Sequence, residues 1–252
     1  MAFALMRAVP DSFTEALVRG DRPPIDVAAA RRQHDAYRAV LVVAGYTVKL
    51  LEADEGHPDC PFVEDTAVVL GETAVLARPG AKSRRGEVLP VAEALEGKLS
   101  INAIEDPATL DGGDVMVMGD TVFIGRSERT NDDGIEQLTQ IAHRLGLRAV
   151  AVDIAGVLHL KSAVARLDDK TVLMSRKHVD GEAFVAYQVV AKAPGEEHLA
   201  SALPLVDGRV MVTASAPQTA AELENAGFDV VAVDTSEFQA ADGGLTCLSI
   251  LL

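Results

Sequence analysis

The 252-residue sequence contains no tryptophan, and only 4% of its residues are aromatic. So few rings leave little material for the stacking platforms of proteins that bind single-stranded nucleic acids. Basic residues are also scarce, because 23 Lys and Arg stand against 38 Asp and Glu, giving a formal net charge of −15. Without a basic surface, counterion release from phosphates cannot drive binding. We therefore expect no nucleic-acid partner, whereas a small cation would be attracted.

Long apolar runs and frequent cysteines are absent as well. No stretch reaches the roughly 18 uninterrupted apolar residues of a membrane-spanning helix, so we expect no membrane association. The start, MAFALMRAVPDSF, lacks the long apolar core of a signal peptide. Only two cysteines are present. These features predict a cytoplasmic protein, in which a disulfide between Cys60 and Cys247 is disfavoured.

The sequence repeats a pattern of two apolar runs, a helical segment and a further apolar run. Acidic residues mark the turn inside each pair of runs, at Glu72, Asp120, Asp169 and Asp207, with spacings of 48, 49 and 38 residues. Such pairs are typical of β-hairpins. The predicted strands of the pattern outside the hairpins are residues 3–7, 46–51, 99–104, 148–153 and 229–233, and the predicted helices are residues 25–45, 84–97, 131–146 and 216–227.

Repeats of this length are typical of propeller-like or solenoid arrays. The N-terminal strand and the C-terminal segment LTCLSILL would complete a composite unit, which makes five. No linker rich in Pro, Gly or Ser interrupts the chain. We therefore predict one α/β domain over residues 1–252, a closed ring of five units whose closure protects the sheet edges. The alternative is an ordinary three-layer α/β sheet.

The candidate reactive residues lie at or near the first strand of each unit. Glu64 and Asp65 open the first hairpin, Asp111 precedes the second, His159 opens the third, and Cys247 lies in the last strand. In a rotational array such positions converge on the axis. Residues far apart in sequence would then form one site that contains a thiol, an imidazole and several carboxylates.

Each candidate has a structural interpretation when taken singly. Cys247 could be a buried core thiol, His159 a hydrogen-bonded core histidine, and Asp111 a turn residue. The Glu64–Asp65 pair is more informative, because carboxylates at the mouth of a buried strand are costly unless they meet a cation.

A zinc site is a competing interpretation. Cys60, Cys247, His159 and a nearby aspartate could act as ligands. However, the sequence has neither a Cys-x-x-Cys nor a His-x-x-x-His spacing, and it has no glycine-rich phosphate-binding motif.

Five segments together resemble the dimethylarginine dimethylaminohydrolases, which belong to the guanidine-modifying (pentein) superfamily with a five-bladed α/β propeller. These segments are CPFVEDTAVV, LDGGDV, GRSERTN, HLKSA and DGGLTCLS. The resemblance spans residues 59–252. It implies the five-bladed α/β propeller fold, no metal and no organic cofactor, and a monomer or homodimer.

The resemblance also implies a role for particular residues. Cys247 matches the family's nucleophile, His159 its general acid/base, and Asp111 the acidic residue that orients the histidine. Asp65 matches the guanidinium ligand. The other implied substrate-binding residues are Asp59, Phe62 and Glu64 in the pocket, Arg84 and Arg129 at the substrate α-carboxylate, and Asp242 near its amino group. Arg85 could take the place of Arg84, and a mobile lid is expected between Val9 and Arg22.

The implied activity is hydrolysis of Nω-methylated arginines to citrulline and a methylated amine, through a covalent thiouronium on Cys247. A cysteine suits this nucleophilic role, and carboxylates suit a planar cationic substrate. The alternatives are a deiminase of arginine or agmatine, and a non-catalytic binding module of the same fold. Arginine deiminases have an acidic residue two positions after the histidine, whereas this sequence has Lys161 there.

Overall fold

The computed structural model describes residues 2–198 and 201–252, which form fifteen strands and six α-helices. The strands are β1 Phe3–Arg7, β2 Thr47–Leu51, β3 Ala67–Leu70, β4 Thr73–Leu76, β5 Ser100–Ala103, β6 Val115–Met118, β7 Thr121–Arg126, β8 Arg148–Asp153, β9 Val164–Arg166, β10 Thr171–Met174, β11 Gln188–Ala191, β12 Ala202–Pro204, β13 Val210–Thr213, β14 Val230–Val233 and β15 Ile250–Leu251. The α-helices are α1 Val27–Val43, α2 Val88–Leu95, α3 Asp132–Arg144, α4 Leu160–Ala163, α5 Pro217–Asn225 and α6 Ser236–Ala240. Short 3-10 helices are Asp11–Glu15, Val63–Thr66, Lys82–Glu87, Gly112–Asp114, Gly181–Phe184 and Thr246–Leu248.

The strands form five three-stranded sheets of one topology. Their orders are β3-β4-β5, β6-β7-β8, β9-β10-β11, β12-β13-β14 and β15-β1-β2. In each sheet the first two strands are antiparallel and the third is parallel to the second. A parallel third strand requires a crossover, which the helical segment of each unit supplies. The prediction of five repeated α/β units is confirmed, including the composite unit that joins the two ends of the chain.

The chain divides into two compact units. The first comprises Met1–Val63 with Ala193–Leu252, and the second comprises Glu64–Lys192. The first contains the sheets β15-β1-β2 and β12-β13-β14, and the second contains the other three. The single closed domain expected from the sequence stays a prediction.

The core of the first unit concentrates the few aromatic residues of the chain. The ring of Phe13 lies 5.8 Å from that of Phe62 and 5.3 Å from that of Phe238. Tyr37 of α1 is fully buried, and its hydroxyl lies 2.7 Å from the Ser249 hydroxyl. Large apolar rings paired in this way stabilise a core beyond the area they bury.

Helix α3 shows how local sequence sets a boundary in the second unit. The Asn131 side chain accepts a hydrogen bond from the backbone N–H of Gly134 at 2.9 Å, so the helix begins at the next residue, Asp132. Ile135, Leu138 and Ile141 form one buried face. The predicted range of 131–146 is therefore within two residues at each end.

Two crossovers differ from the prediction. The predicted helix 84–97 is a 3-10 helix, Lys82–Glu87, followed by the shorter α2. Pro90 is tolerated in the first turn of α2, because N–H groups there have no intrahelical acceptor. In the third unit the crossover contains only the 3-10 helix Gly181–Phe184, for which the sequence offered no helical periodicity.

Among the described residues, no helix combines the length and the apolar composition that crossing a membrane requires. Cys60 and Cys247, which both lie in the described part of the chain, are not joined by a disulfide.

His34 of α1 is a buried ionisable group within the aromatic core. Its ring lies 5.9 Å from that of Phe238, and its Nε2 has no hydrogen-bond partner among the described residues. Burial lowers the pKa of His34 from 6.5 to about 4, against the opposing effect of Asp35. The fold therefore requires a neutral His34, and the stability that depends on this is present above pH 6.5 and lost as the pH falls toward 4.

We predict that His34→Leu flattens the dependence of stability on pH. Since the folded pKa is about 4, the His34 contribution to the free energy of unfolding should fall by on the order of 3 kcal/mol between pH 6.5 and pH 4. Urea unfolding at several pH values measures this, and exposed His143→Gln is the matched control. Equal losses in wild type and His34→Leu would contradict the prediction.

Candidate active site

Three of the predicted site residues meet in the second unit. His159 Nε2 lies 3.1 Å from Asp111 Oδ2, and His159 Nδ1 lies 3.9 Å from Asp65 Oδ1. All three residues are buried. The imidazole is thus placed with a carboxylate near each ring nitrogen.

The position of each residue in its unit explains this convergence. Asp65 lies in the 3-10 helix before β3, Asp111 directly before the 3-10 helix that leads into β6, and His159 directly before α4, which leads into β9. These are equivalent positions at the first strands of three successive sheets. Within this unit, the convergence expected from the sequence is present.

Two glycines allow the loops to approach closely. A Cβ on Gly113 would lie 2.7 Å from both Asp65 Oδ1 and His159 Nδ1, and one on Gly112 would lie 2.0 Å from the Glu64 carbonyl oxygen. Any larger residue would force the loops apart. The Gly113 N–H also donates to Asp65 Oδ1 at 2.9 Å. The Gly-Gly of LDGGD is therefore required by the packing around His159.

The charges in this cluster are strongly coupled. Burial by itself lowers the pKa of His159, but Asp65, Asp114 and Asp111 outweigh it and raise that pKa to about 9. Burial by itself raises the pKa of Asp65, but His159 and Arg84 lower it to about 2. Near neutral pH, His159 is an imidazolium that donates to Asp111, and Asp65 is a carboxylate.

Arg84 is buried and bound by two carboxylates of its own chain. Its Nη1 lies 2.6 Å from Asp65 Oδ2, and its Nη2 lies 2.8 Å from Glu87 Oε2. Although burial opposes the charge, Glu87 and Asp65 raise the pKa of Arg84 well above its ordinary value. Arg85 instead donates to the Pro79 carbonyl oxygen at 3.1 Å. Binding of a substrate carboxylate by Arg84 stays a prediction. Glu87 was not predicted from the sequence, although the Arg-x-x-Glu spacing could have indicated it.

Arg129 lies in a turn of the same unit and differs from Arg84. Its Nη1 is buried, and within the described ranges no group accepts a hydrogen bond from it. Its backbone N–H donates to Ser127 Oγ at 3.0 Å, which fixes the turn. A buried guanidinium donor without an acceptor is costly, so this atom is suited to bind an anion.

Glu64 is paired with Lys161. Glu64 Oε1 lies 2.5 Å from Lys161 Nζ, and both side chains are largely buried. The pair joins the residue before Asp65 to the second residue after His159. Glu64, which was expected near the substrate guanidinium, is therefore already paired with a lysine of the chain.

The donors of Asp65, Asp111 and His159 all lie within 4.8 Å of one another, a spacing that a metal ion could use. However, Arg84 and the Gly113 N–H engage both oxygens of Asp65. A ligating histidine has to lose its proton, whereas these carboxylates hold His159 protonated. The arrangement therefore favours proton transfer over metal ligation.

Cys247 belongs to the first unit. It lies in the 3-10 helix Thr246–Leu248, before β15, so the prediction that it lies in the last strand was wrong. The residue is partly buried, and its Sγ accepts a hydrogen bond from the Gly244 N–H at 3.3 Å. A backbone N–H directed at sulfur favours negative charge there. The DGGLTC segment thus presents the thiol at a tight turn.

Asp59 and Asp242, also in the first unit, hold the segment in which a lid was expected. Asp59 accepts from the Leu17 N–H at 3.1 Å, and Asp242 accepts from the Arg19 N–H at 2.6 Å. The Arg22 guanidinium also binds Asp242. The sequence indicated both the segment and the two aspartates, but not that the aspartates bind the backbone of this segment.

Phe62 packs against the Gly-Gly turn before Cys247. A Cβ on Gly243 would lie 2.2 Å from Phe62 Cε1, so only glycine fits there. The ring also belongs to the aromatic core of Phe13 and Phe238. Its predicted role in lining the pocket stays a prediction.

Known proteins resemble this chain over nearly its whole length. A family profile described as N,N dimethylarginine dimethylhydrolase, eukaryotic, matches residues 1–226. The N(G),N(G)-dimethylarginine dimethylaminohydrolase of Streptomyces coelicolor is 40% identical over 252 residues, covering 99% of this chain and 96% of the relative.

Solved structures agree. The Pseudomonas aeruginosa enzyme, as a Cys-to-Ser variant complexed with citrulline, has a TM-score of 0.92 at 32% identity and covers 99% of this chain and 98% of its own. A His-to-Gly variant of a dimethylarginine dimethylaminohydrolase, as an adduct with S-methyl-L-thiocitrulline, has a TM-score of 0.94 at 33% identity and covers 99% of each chain. The matching folds confirm the predicted α/β class of five small sheets, and the chain belongs to the dimethylarginine dimethylaminohydrolase family.

Proposed function

We propose that this protein hydrolyses Nω-methylated arginines to citrulline and methylamine or dimethylamine. The observation that carries the proposal is the buried imidazole of His159, which lies 3.1 Å from Asp111 and 3.9 Å from Asp65, a carboxylate that also binds the guanidinium of Arg84. Relatives that carry the name of this enzyme support it. The cytoplasmic location and the monomeric or homodimeric state stay predictions from the sequence.

In this proposal carboxylates bind the substrate guanidinium and arginine binds its α-carboxylate. Asp65 and Asp111 offer acceptors to a planar cation with several N–H donors, and Glu64, already paired with Lys161, would lie beside them. Arg129, with its buried Nη1, would bind the α-carboxylate. Asp242, and with it Asp59, would face the substrate amino group. Exclusion of water around these charges would strengthen each contact.

The covalent steps use Cys247 for attack and His159 for proton transfer. The Cys247 thiolate adds to the guanidinium carbon, and a C–S bond forms. His159 donates a proton to the methylated nitrogen, the C–N bond breaks, and the amine leaves a thiouronium. His159 then takes a proton from water as its oxygen adds to the same carbon. The C–S bond then breaks, which restores the thiolate, and the added hydroxyl loses its remaining proton to solvent, where the released amine takes it up, so that neutral citrulline is released.

The protonation of His159 agrees with its first task. With a pKa raised to about 9, it holds a proton before substrate binds. Because Asp111 engages Nε2, Nδ1 is the atom we assign to proton exchange. The carboxylate on Nε2 fixes the ring, as in other acid/base histidines.

Competition kinetics test the function itself. Since Lys161 neutralises Glu64, the site offers an unsubstituted guanidinium fewer acceptors, and N-methyl groups strand no buried carboxylate. We therefore expect the kcat/KM for asymmetric dimethylarginine or monomethylarginine to be well above that for arginine or agmatine, with citrulline as the product. Equal turnover of arginine would instead identify an arginine deiminase, and no turnover would favour the binding module.

Cys247→Ser should abolish citrulline formation with the fold intact, because a hydroxyl has nearly the same size but ionises far less. His159→Ala should lose activity by about 10²–10⁴-fold, since both proton transfers depend on it. Cys60→Ser is the matched control and should remain active. Citrulline assays with circular dichroism check this, and substantial turnover by Cys247→Ser would remove this residue from the mechanism.

Arg129→Ala and Arg84→Ala should differ. Arg129→Ala removes a contact to the substrate carboxylate worth roughly 1.5–3 kcal/mol, so KM should rise while the melting temperature stays near that of wild type. Arg84→Ala leaves Asp65 and Glu87 buried without their cation, which typically costs about 3–5 kcal/mol, so it should also lower the melting temperature. Arg85→Ala is the control. An unchanged melting temperature in Arg84→Ala would show that this ion pair is not structural.

The pKa of His159 can be measured directly by NMR titration of its imidazole. We expect a value near 9 in wild type. Asp111→Asn should lower it, because the variant replaces the charged acceptor of Nε2 by a neutral amide oxygen. Asp120→Asn, at an exposed turn of the same unit, should leave it unchanged. A wild-type value below 6.5 would refute the charge arrangement described above.

A further inference from the structure

We propose that Asp114, the second acidic residue of LDGGD, is a positioning residue that holds the Arg129 turn and the His159 segment in register. The inference rests on the proposed function. Asp114 is fully buried and lies in the 3-10 helix Gly112–Asp114. Its hydrogen bonds join Ser127, Thr130 and Leu160, and its charge acts on His159 from a distance.

The carboxylate of Asp114 is bound by three donors. Its Oδ1 accepts from the Leu160 N–H at 2.9 Å, and its Oδ2 accepts from the hydroxyls of Ser127 at 2.6 Å and Thr130 at 2.7 Å. A buried carboxylate is costly unless such donors surround it. With donors on both oxygens, the orientation of the carboxylate is fixed, and so are the two segments that provide the donors, the 127–130 turn and the start of α4.

On one side the contacts reach Arg129. Ser127 Oγ donates to Asp114 and accepts from the N–H groups of Arg129, at 3.0 Å, and Thr130, at 3.1 Å. Thr130 Oγ1 likewise donates to Asp114 and accepts from the Asp111 N–H at 3.1 Å. The turn that carries Arg129, and the backbone of the residue that orients His159, therefore depend on one carboxylate.

On the other side the contact reaches His159. Leu160 is the first residue of α4, and His159, directly before it, provides no side-chain cap. The Leu160 N–H has no intrahelical acceptor at this position, so Asp114 supplies one. In β7, Gly125 leaves the necessary space, because a Cβ there would lie 2.9 Å from Asp114 Oδ1 and 2.8 Å from Leu160 Cβ.

A positioning role predicts effects that a loss of stability alone would not produce. Ser127→Ala breaks the link between Asp114 and the Arg129 turn without altering a charge. It should raise KM for asymmetric dimethylarginine by roughly tenfold or more, since a small misplacement of a binding group is costly. For the analogue of asymmetric dimethylarginine that lacks the α-carboxylate, Arg129 has nothing to bind, so the change in KM should be small.

Asp114→Asn affects both sides of the link and should lower kcat as well as raise KM. Thr121→Val is the matched control for Ser127→Ala, because it removes buried hydroxyl contacts to Asp120 and Arg148 in the same unit, away from Arg129 and His159. It should lower stability without a selective effect on KM. Should Asp114→Asn fail to fold, Ser127→Ala and Thr121→Val still decide whether Asp114 positions the Arg129 turn.

Steady-state kinetics with both substrates, together with melting temperatures, separate the outcomes. A KM increase in Ser127→Ala that is confined to the carboxylate-bearing substrate supports the positioning role. The positioning role is overturned, and the proposed function is left intact, if the wild type is active and Ser127→Ala has the wild-type KM. The same holds if Ser127→Ala and Thr121→Val change KM equally. A wild type that forms no citrulline overturns the proposed function and this role together.

Discussion

Buried carboxylates that require a cation determine the arrangement of the second unit. Asp65, Asp111 and Asp114 all lie out of contact with solvent, where an unpaired negative charge is very costly. Protonated His159 and Arg84 make their burial possible, and the carboxylates in turn keep His159 protonated. The charge pairing that stabilises this region therefore also sets the protonation state of His159 at the start of the proposed reaction. A change to one of these residues should affect both stability and catalysis.

Repetition of one small topology explains how such a cluster can form. Three units each contribute one residue of the cluster, namely Asp65, Asp111 and His159, from the same position before the first strand. The glycines of LDGGD then allow the loops to approach to the required distance. The repeat supplies the geometry, and the residues at its equivalent positions supply the chemistry.

Features that follow from local sequence or from equivalent positions in the repeat were predictable, and individual side-chain pairings were not. The acidic turns and the composite sheet followed from hairpin patterns, and Asn131 marks the start of α3. His159, Asp65 and Asp111 were expected to meet from their equivalent positions. In contrast, Glu87 on Arg84, Lys161 on Glu64 and the contacts of Asp114 depend on which side chains the fold brings together. No periodicity or spacing encodes such contacts, except the Arg-x-x-Glu pair.

In both units, an arginine of the chain occupies a carboxylate that we assign to a cationic group of the substrate. Asp65, assigned to the substrate guanidinium, is bound by Arg84, and Asp242, assigned to the substrate amino group, is bound by Arg22. In the proposed complex, a substrate cation that binds the same carboxylate oxygen would compete with an arginine of the chain. Its affinity then measures the difference between two ion pairs, not the strength of one. Arg84 is buried and Arg22 is exposed, so the exchange should be easier at Asp242, where water can solvate the displaced guanidinium.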